Sequence, residues 1–176
     1  FTPTKETNHL DIDYRGFHTE EQLLESFLVW WEENCPDVIT GWNSNLFDMP
    51  YLITRTERIL GEGEHKRFSP FGLVNKRPIR FANREMTAFE ITGVAQLDYL
   101  DLYKKFTYVT RESYKLDFIA EVELGKNKLE SGFDTFKEFY DNDWNRFVEY
   151  NIIDTVIVDE LEDKMQLIQL ALTMAY

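Results

Sequence analysis

From Asn142 to Met174 the chain runs without a glycine or a proline, and Ile153, Ile157, Leu161, Met165, Ile168 and Leu172 recur at three- and four-residue steps. That spacing lays an apolar stripe along one helical face, so the stretch reads as one long helix or two closely joined ones. Tyr150 and Asp154 lie four apart within it. Their phenol and carboxylate therefore project from one face, about one turn apart. Alone, Tyr-x-x-x-Asp says little, because an amphipathic helix presents such a pair by chance, with the tyrosine at a core edge and the aspartate solvated.

The rest of the chain alternates helical and extended signals. Thr19-x-x-Gln22 has the form of a capping box opening a helix to about Asn34, with Leu23, Leu24, Phe27, Leu28 and Trp31 forming a core face. Val38-Ile39-Thr40 is a short apolar run after Pro36 and reads as a buried strand that Gly41 ends with a turn. A second helix begins near Met49, tolerates Pro50 in its first turn and stops at Gly61. Ile79-Arg80-Phe81 and Thr87 to Thr92 read as two strands of a hairpin around Asn83-Arg84. Gln96-Leu97-Asp98 reads as another strand and Asp101 to Phe106 as a helix, while Ser113 is the expected cap of a helix holding Leu116, Ile119 and Ala120. This order predicts an α/β core with a mixed sheet flanked by helices. Residues 1–16 are polar and patternless, a lead-in segment to a domain over 17–176.

Nineteen basic and 32 acidic side chains give a net charge of −13. That sign excludes a module that grips nucleic-acid phosphates by broad counterion release, so any such contact must be local or metal-mediated. Cys35 is the only cysteine, which excludes an intrachain disulfide and a cysteine-rich zinc site and suits a reducing compartment. No apolar run is long enough to span a membrane. His9, His18 and His65 lie far apart without ligand spacing and are expected at the surface, and Trp30, Trp31, Trp42 and Trp144 are expected mainly in packing and surface cover.

A phosphodiesterase that uses two metal ions needs carboxylates converging from separate elements. Asp48, in Asn43-Ser44-Asn45-Leu46-Phe47-Asp48, and Asp154, in Tyr150-Asn151-Ile152-Ile153-Asp154, fit that requirement. Pro36 to Asn43 followed by Phe47-Asp48-Met49-Pro50-Tyr51-Leu52 resembles the second exonuclease motif of family B DNA polymerases, and Tyr150 to Asp154 resembles their third. Leu97 to Phe106 and Ser113 to Asp117 are similar to the enzymes of large tailed bacteriophages in particular. The resemblance runs from about Phe17 to Tyr176 and implies a ribonuclease H-like exonuclease fold with a protruding β-hairpin, truncated at its N-terminus. The family's first motif, an Asp-x-Glu strand, should lie well upstream of the second. Asp11-Ile12-Asp13 is rejected for that place, because two strands and a helix separate the motifs in the family and Thr19 already opens the helix.

What the resemblance implies is a proofreading 3′→5′ exonuclease belonging to a DNA-directed DNA polymerase. Asp48 and Asp154 would hold Mg²⁺ or Mn²⁺, and Tyr150 would orient the attacking water. Lys126, with Lys128 as a competing match, would stand near the scissile phosphate. Asn43 and Phe47 would contact the single-stranded 3′ end of the primer, and Phe47 has an alternative place in the core. The hairpin would help separate primer from template, its plainer reading being an ordinary edge element. The implied partners are primer DNA, the remaining polymerase domains and a sliding clamp reached through them, with no membrane, in the cytoplasm of a bacterial host during phage replication. Taken alone the 176 residues would be inactive, since the bridging carboxylate is missing. The rival expectation is a catalytically silent structural or protein-interaction module.

Overall fold

The computed structural model describes residues 1–81, 84–126 and 132–175, and the chain divides into two compact units, Gly16–Lys104 and Phe1–Arg15 with Lys105–Tyr176. In the first unit, α1 (Glu20–Asn34) begins where the Thr19 side chain accepts a hydrogen bond from the Gln22 N–H. It is followed by β1 (Val38–Gly41), α2 (Asp48–Leu60), a 3₁₀ segment (Glu64–Phe68), β2 (Val74–Phe81), β3 (Arg84–Ile91), β4 (Ala95–Asp98) and α3 (Tyr99–Phe106).

Among the described residues the strands form two separate two-stranded sheets, where the alternation of elements predicts one mixed sheet. β1 and β4 pair in parallel with Gly41 opposite Asp98, while β2 and β3 pair antiparallel from Val74 opposite Ile91 to Phe81 opposite Arg84. A tight turn at Gly93 separates them: its φ is +95°, and an added Cβ would lie 2.6 Å from Pro70 Cγ. The chain leaves β3 there and takes up a different partner. β2 is longer than its apolar signal and carries Pro78 within it. A two-stranded ladder leaves each strand an unpaired side on which the missing N–H costs nothing. Asn83, expected in the connecting turn, lies outside the described residues.

Leu28, Trp31, Met49, Ile53, Phe68, Phe89, Ile91 and Val94 make the core of this unit. Burying each such side chain contributes roughly 1.5–3 kcal/mol. Trp31 meets Phe68 edge-on at 5.3 Å and donates its indole N–H to the Phe68 carbonyl at 2.9 Å, so its polar atom is satisfied inside the core. Leu23, expected on the core face, is exposed. His65, expected at the surface, is buried, with Nδ1 3.5 Å from Glu57.

In the second unit α4 (Leu116–Leu124), α5 (Phe136–Asn142), α6 (Trp144–Met165) and α7 (Leu167–Ala175) follow one another, and α4 and α5 both pack on α6. Ser113 is not the helix cap expected of it: α4 starts after Lys115, and the Ser113 hydroxyl accepts from the Lys115 N–H, ahead of the helix. The uninterrupted C-terminal stretch is two helices. Gln166 takes a left-handed conformation with φ +54°, and the Glu162 carboxylate accepts from the N–H groups of Ile168 and Gln169 at 3.0 and 3.2 Å. A side chain from one helix thus caps the next. Residues 1–15 belong to this unit. Thr7 is fully buried and donates to Glu149 at 3.0 Å, Thr4 donates to the same oxygen, and Thr2 and Asn145 exchange two hydrogen bonds.

Candidate functional site

β1 and β4 end level with each other, and in a parallel pair the carboxyl end of the strands is where a cleft residue can be presented. Gly41 closes β1, and a Cβ on it would lie 3.0 Å from Ser44 Cβ, tighter than an ordinary contact, so a larger residue here would need Ser44 to shift by a few tenths of an ångström. Asn43 then takes φ +66°, a left-handed conformation that asparagine tolerates better than most residues. Its carbonyl accepts from the N–H groups of Leu46 and Phe47, and the Ser44 carbonyl accepts from Met49. The turn therefore leads directly into α2, whose first residue is Asp48. Phe47 is 58% exposed, which excludes its alternative place in the core.

The residue that holds this turn is Asp98, at the end of β4. Its Oδ1 accepts from the N–H groups of Asn43 and Leu100 at 3.0 Å each, and its Oδ2 accepts from Asn45 at 2.9 Å. Only 4% of it is exposed. Burial pushes its carboxyl above the ordinary aspartate value, against the three N–H donors that favour the charged form and with the nearby Asp101 charge adding to the rise. Asp48 is also raised, by desolvation from the atoms packed around its carboxyl, although the residue keeps access to solvent; its own backbone N–H opposes the shift. Trp42 lies beside Tyr99 and Tyr103 at 6.4 and 6.0 Å, so it packs on α3.

Sequence reasoning reads Asp98 only as the end of a strand. Its role needs the pairing of β1 with β4, which no local pattern announces. Thr135-x-x-Glu138, by contrast, carries a capping-box signal that marks the start of α5: the Thr135 hydroxyl accepts from the Glu138 N–H at 3.1 Å.

In the other unit Tyr150 and Asp154 lie on α6, both half-buried. Tyr150 meets Phe136 and Phe139 edge-on at 5.9 and 5.7 Å, contacts that fix the ring. Phe139 in turn stacks on Phe133 and meets Phe147 edge-on. Lys126 pairs with Glu160 at 2.5 Å. Lys128 lies outside the described residues. Asp11-Ile12-Asp13 forms no strand, and Asp13 pairs with Arg15 at 2.6 Å on the surface.

Carboxylates are hard oxygen donors suited to Mg²⁺ or Mn²⁺, and Asp48 has an accessible one. Asp98 does not fit that use, because both its oxygens already accept backbone N–H groups. Among the described residues no group of three or more histidine, cysteine or carboxylate side chains converges to hold an ion.

The model of the DNA polymerase family B exonuclease domain matches residues 2–119, a span that includes Asn43, Phe47, Asp48 and Asp98. The chain is 38% identical over 169 residues to the DNA-directed DNA polymerase of Escherichia phage RB69 and 37% identical over 166 residues to that of Enterobacteria phage T4. Each alignment covers 94% of this chain and 18% of the relative. The DNA polymerase of guinea pig cytomegalovirus (strain 22122) is 31% identical over 160 residues, 85% of this chain and 14% of its own length. The chain thus spans less than a fifth of the curated relatives it matches.

Proposed function

The chain belongs to the exonuclease domain of the family B DNA polymerases, and on that premise we propose that it is the proofreading part of a DNA-directed DNA polymerase, hydrolysing mispaired 3′-terminal nucleotides. The observation that carries the reading is the turn from Asn43 to Asp48, which presents an exposed aromatic ring and an accessible carboxylate at the carboxyl end of a parallel strand pair. Phe47 offers a face on which an unpaired base stacks, worth roughly 1–3 kcal/mol per base and tolerant of sequence. That tolerance suits an enzyme that excises any mispaired end. A mispaired terminus also melts more easily, so selection comes from the low cost of fraying.

In this reading Asp48 and Asp154 hold the divalent ions, and Tyr150, braced by Phe136 and Phe139, orients the attacking water. The chemistry such a site draws from Mg²⁺ or Mn²⁺ is a water made nucleophilic and a stabilised 3′-oxyanion. Lys126 serves a nonbridging phosphate oxygen only after exchanging Glu160 for it, which makes it the conditional member of the set. We assign residues 17–176 to the exonuclease domain with 1–16 leading into it, and read the two small sheets as parts of a ribonuclease H-like fold from which β2 and β3 project as a hairpin. The setting is the bacterial host's cytoplasm during phage replication, with primer DNA, the other polymerase domains and a sliding clamp as partners. Among the described residues no helix is long and apolar enough to cross a membrane.

The 176 residues include no Asp-x-Glu strand to supply a bridging carboxylate, so assayed alone they leave end-labelled single-stranded DNA undegraded in Mn²⁺. Excision by this chain that disappears in its Asp154→Ala form would refute that part and return Asp11 and Asp13 to consideration. The full-length product of the gene excises, and loses excision on Asp154→Ala. Full excision by that variant would leave the silent-module reading in its place.

A further inference from the structure

We propose that Asp98 is a positioning residue for excision, its buried carboxylate fixing the backbone of Asn43 and Asn45 and thereby the place of Phe47 and Asp48. The proposal rests on the reading of Asp48 as a metal-holding residue. The geometry argues for a clamp and against a direct catalytic part. Three backbone N–H groups, from Asn43, Asn45 and Leu100, converge on two oxygens that are 4% exposed as a residue. Only a carboxylate accepts on both oxygens; an amide would set an N–H₂ against an N–H on one side. Charge-assisted bonds of this kind are the stronger sort, which is how an ionisable group stays in so dry a place.

The clamp reaches the site through a short chain of backbone bonds. Asn43, held by Asp98, accepts from Leu46 and Phe47, and Ser44 accepts from Met49, so the turn and the first residues of α2 are tied to one another. A shift of about 1 Å in a catalytic group costs on the order of a hundredfold in rate. A turn that must place Asp48 within that tolerance gains from an anchor on a neighbouring strand. Leu100 ties the same carboxylate to the start of α3, so strand end, turn and helix start share one acceptor.

The test uses the full-length product of the gene with Asp98→Asn and Asp98→Ala, and Asp48→Ala as reference. In metal-free protein, hydrogen exchange over residues 42–48 is compared with residues 50–60 by mass spectrometry. Excision of end-labelled single-stranded DNA is then followed as Mn²⁺ is raised. In Asp98→Asn, exchange should quicken about tenfold in the turn and not in α2, as loss of a hydrogen bond worth about 1.4 kcal/mol implies. The Mn²⁺ needed for half-maximal excision should rise about tenfold, with most of the maximal rate recovered at saturation. Unchanged exchange and unchanged Mn²⁺ requirement, with Asp48→Ala inactive, would overturn the clamp and leave the functional reading standing. Loss of protection throughout both segments with no change in metal requirement would make Asp98 a general stability residue and also overturn it. If Asp98→Ala fails to fold, Asp98→Asn decides. Excision that survives Asp48→Ala would overturn the functional reading, and with it the part assigned to Asp98 in excision, while hydrogen exchange still reports on the clamp.

Discussion

Asp48 and Asp154 are presented in opposite ways. Asp154 sits within α6, a 22-residue helix, where the backbone repeats and Tyr150 one turn earlier shares its face. Asp48 is the first residue of α2, after a turn with a left-handed asparagine and a carboxylate clamp from a strand fifty residues further on. Tyr150 and Asp154 are set by local periodicity and by the aromatic rings around Tyr150. The turn that leads to Asp48 is set by one tertiary pairing, of β1 with β4. A helix-borne group is therefore robust to single changes nearby, and a turn-borne group depends on a few residues that never touch the reacting atoms.

The largest effect that sharpens this contrast is on excision itself. In the full-length gene product, Asp48→Ala and Asp154→Ala should each lower the rate on single-stranded DNA by a hundredfold or more, on the order of what removing one charge-stabilising group costs. A loss from only one of them would show that the two carboxylates do not serve the same step. Next come the cores. Ile53→Ala beside the turn and Leu161→Ala on α6 both remove fully buried side chains, and each should cost about 2–5 kcal/mol in denaturant unfolding. A near-neutral result at either site would mean that its packing differs from the one described.

Asn43 gives a finer test. At φ +66° an alanine pays for its Cβ by about 1–2 kcal/mol, whereas glycine is tolerated. Asn151→Ala, on the exposed side of α6, should be nearly neutral by comparison. Equal stabilities for Asn43→Ala and Asn43→Gly would show that the turn relaxes away from its left-handed form.

The smallest effect is in pH. Asp48 and Asp98 are both raised above the ordinary aspartate value of 3.8 by burial. On acidification the folded state takes up these protons before the unfolded chain does, so their destabilising contribution is present above the raised values and fades as pH falls toward 3.8. Asp13 and Glu32, lowered by their arginine partners, act in the opposite sense below their ordinary values. In metal-free protein, carboxyl ¹³C titration should place the midpoints of Asp48 and Asp98 above 3.8. Midpoints at or below 3.8 would contradict the crowding around both carboxyls.

Much of the secondary structure was legible because its causes are local. Thr19 and Gln22 mark the start of α1, Gly61 follows the end of α2, and the apolar steps from Ile153 to Leu172 predict helix over nearly their whole length. Tyr150 and Asp154 could be placed on one face from their spacing alone. The break at Gln166 was not legible, since no glycine marks it and the cap comes from the side chain of Glu162. Nor was the burial of His65, which lies with Nδ1 3.5 Å from Glu57, a neighbour far enough away in the chain that no local pattern pairs them. The strands were visible as apolar runs, but a run does not say which other run it pairs with. Pairing β1 with β4, and keeping β2 and β3 as a sheet of their own, decided that Asp98 would lie opposite Gly41 and accept the N–H groups of the turn. The sequence alone thus determined that Tyr150 and Asp154 ride on one face of a helix, because helix geometry is local. Where Asp48 stands was decided by the tertiary structure, because a turn has no periodicity of its own and takes its shape from the buried carboxylate that satisfies its backbone.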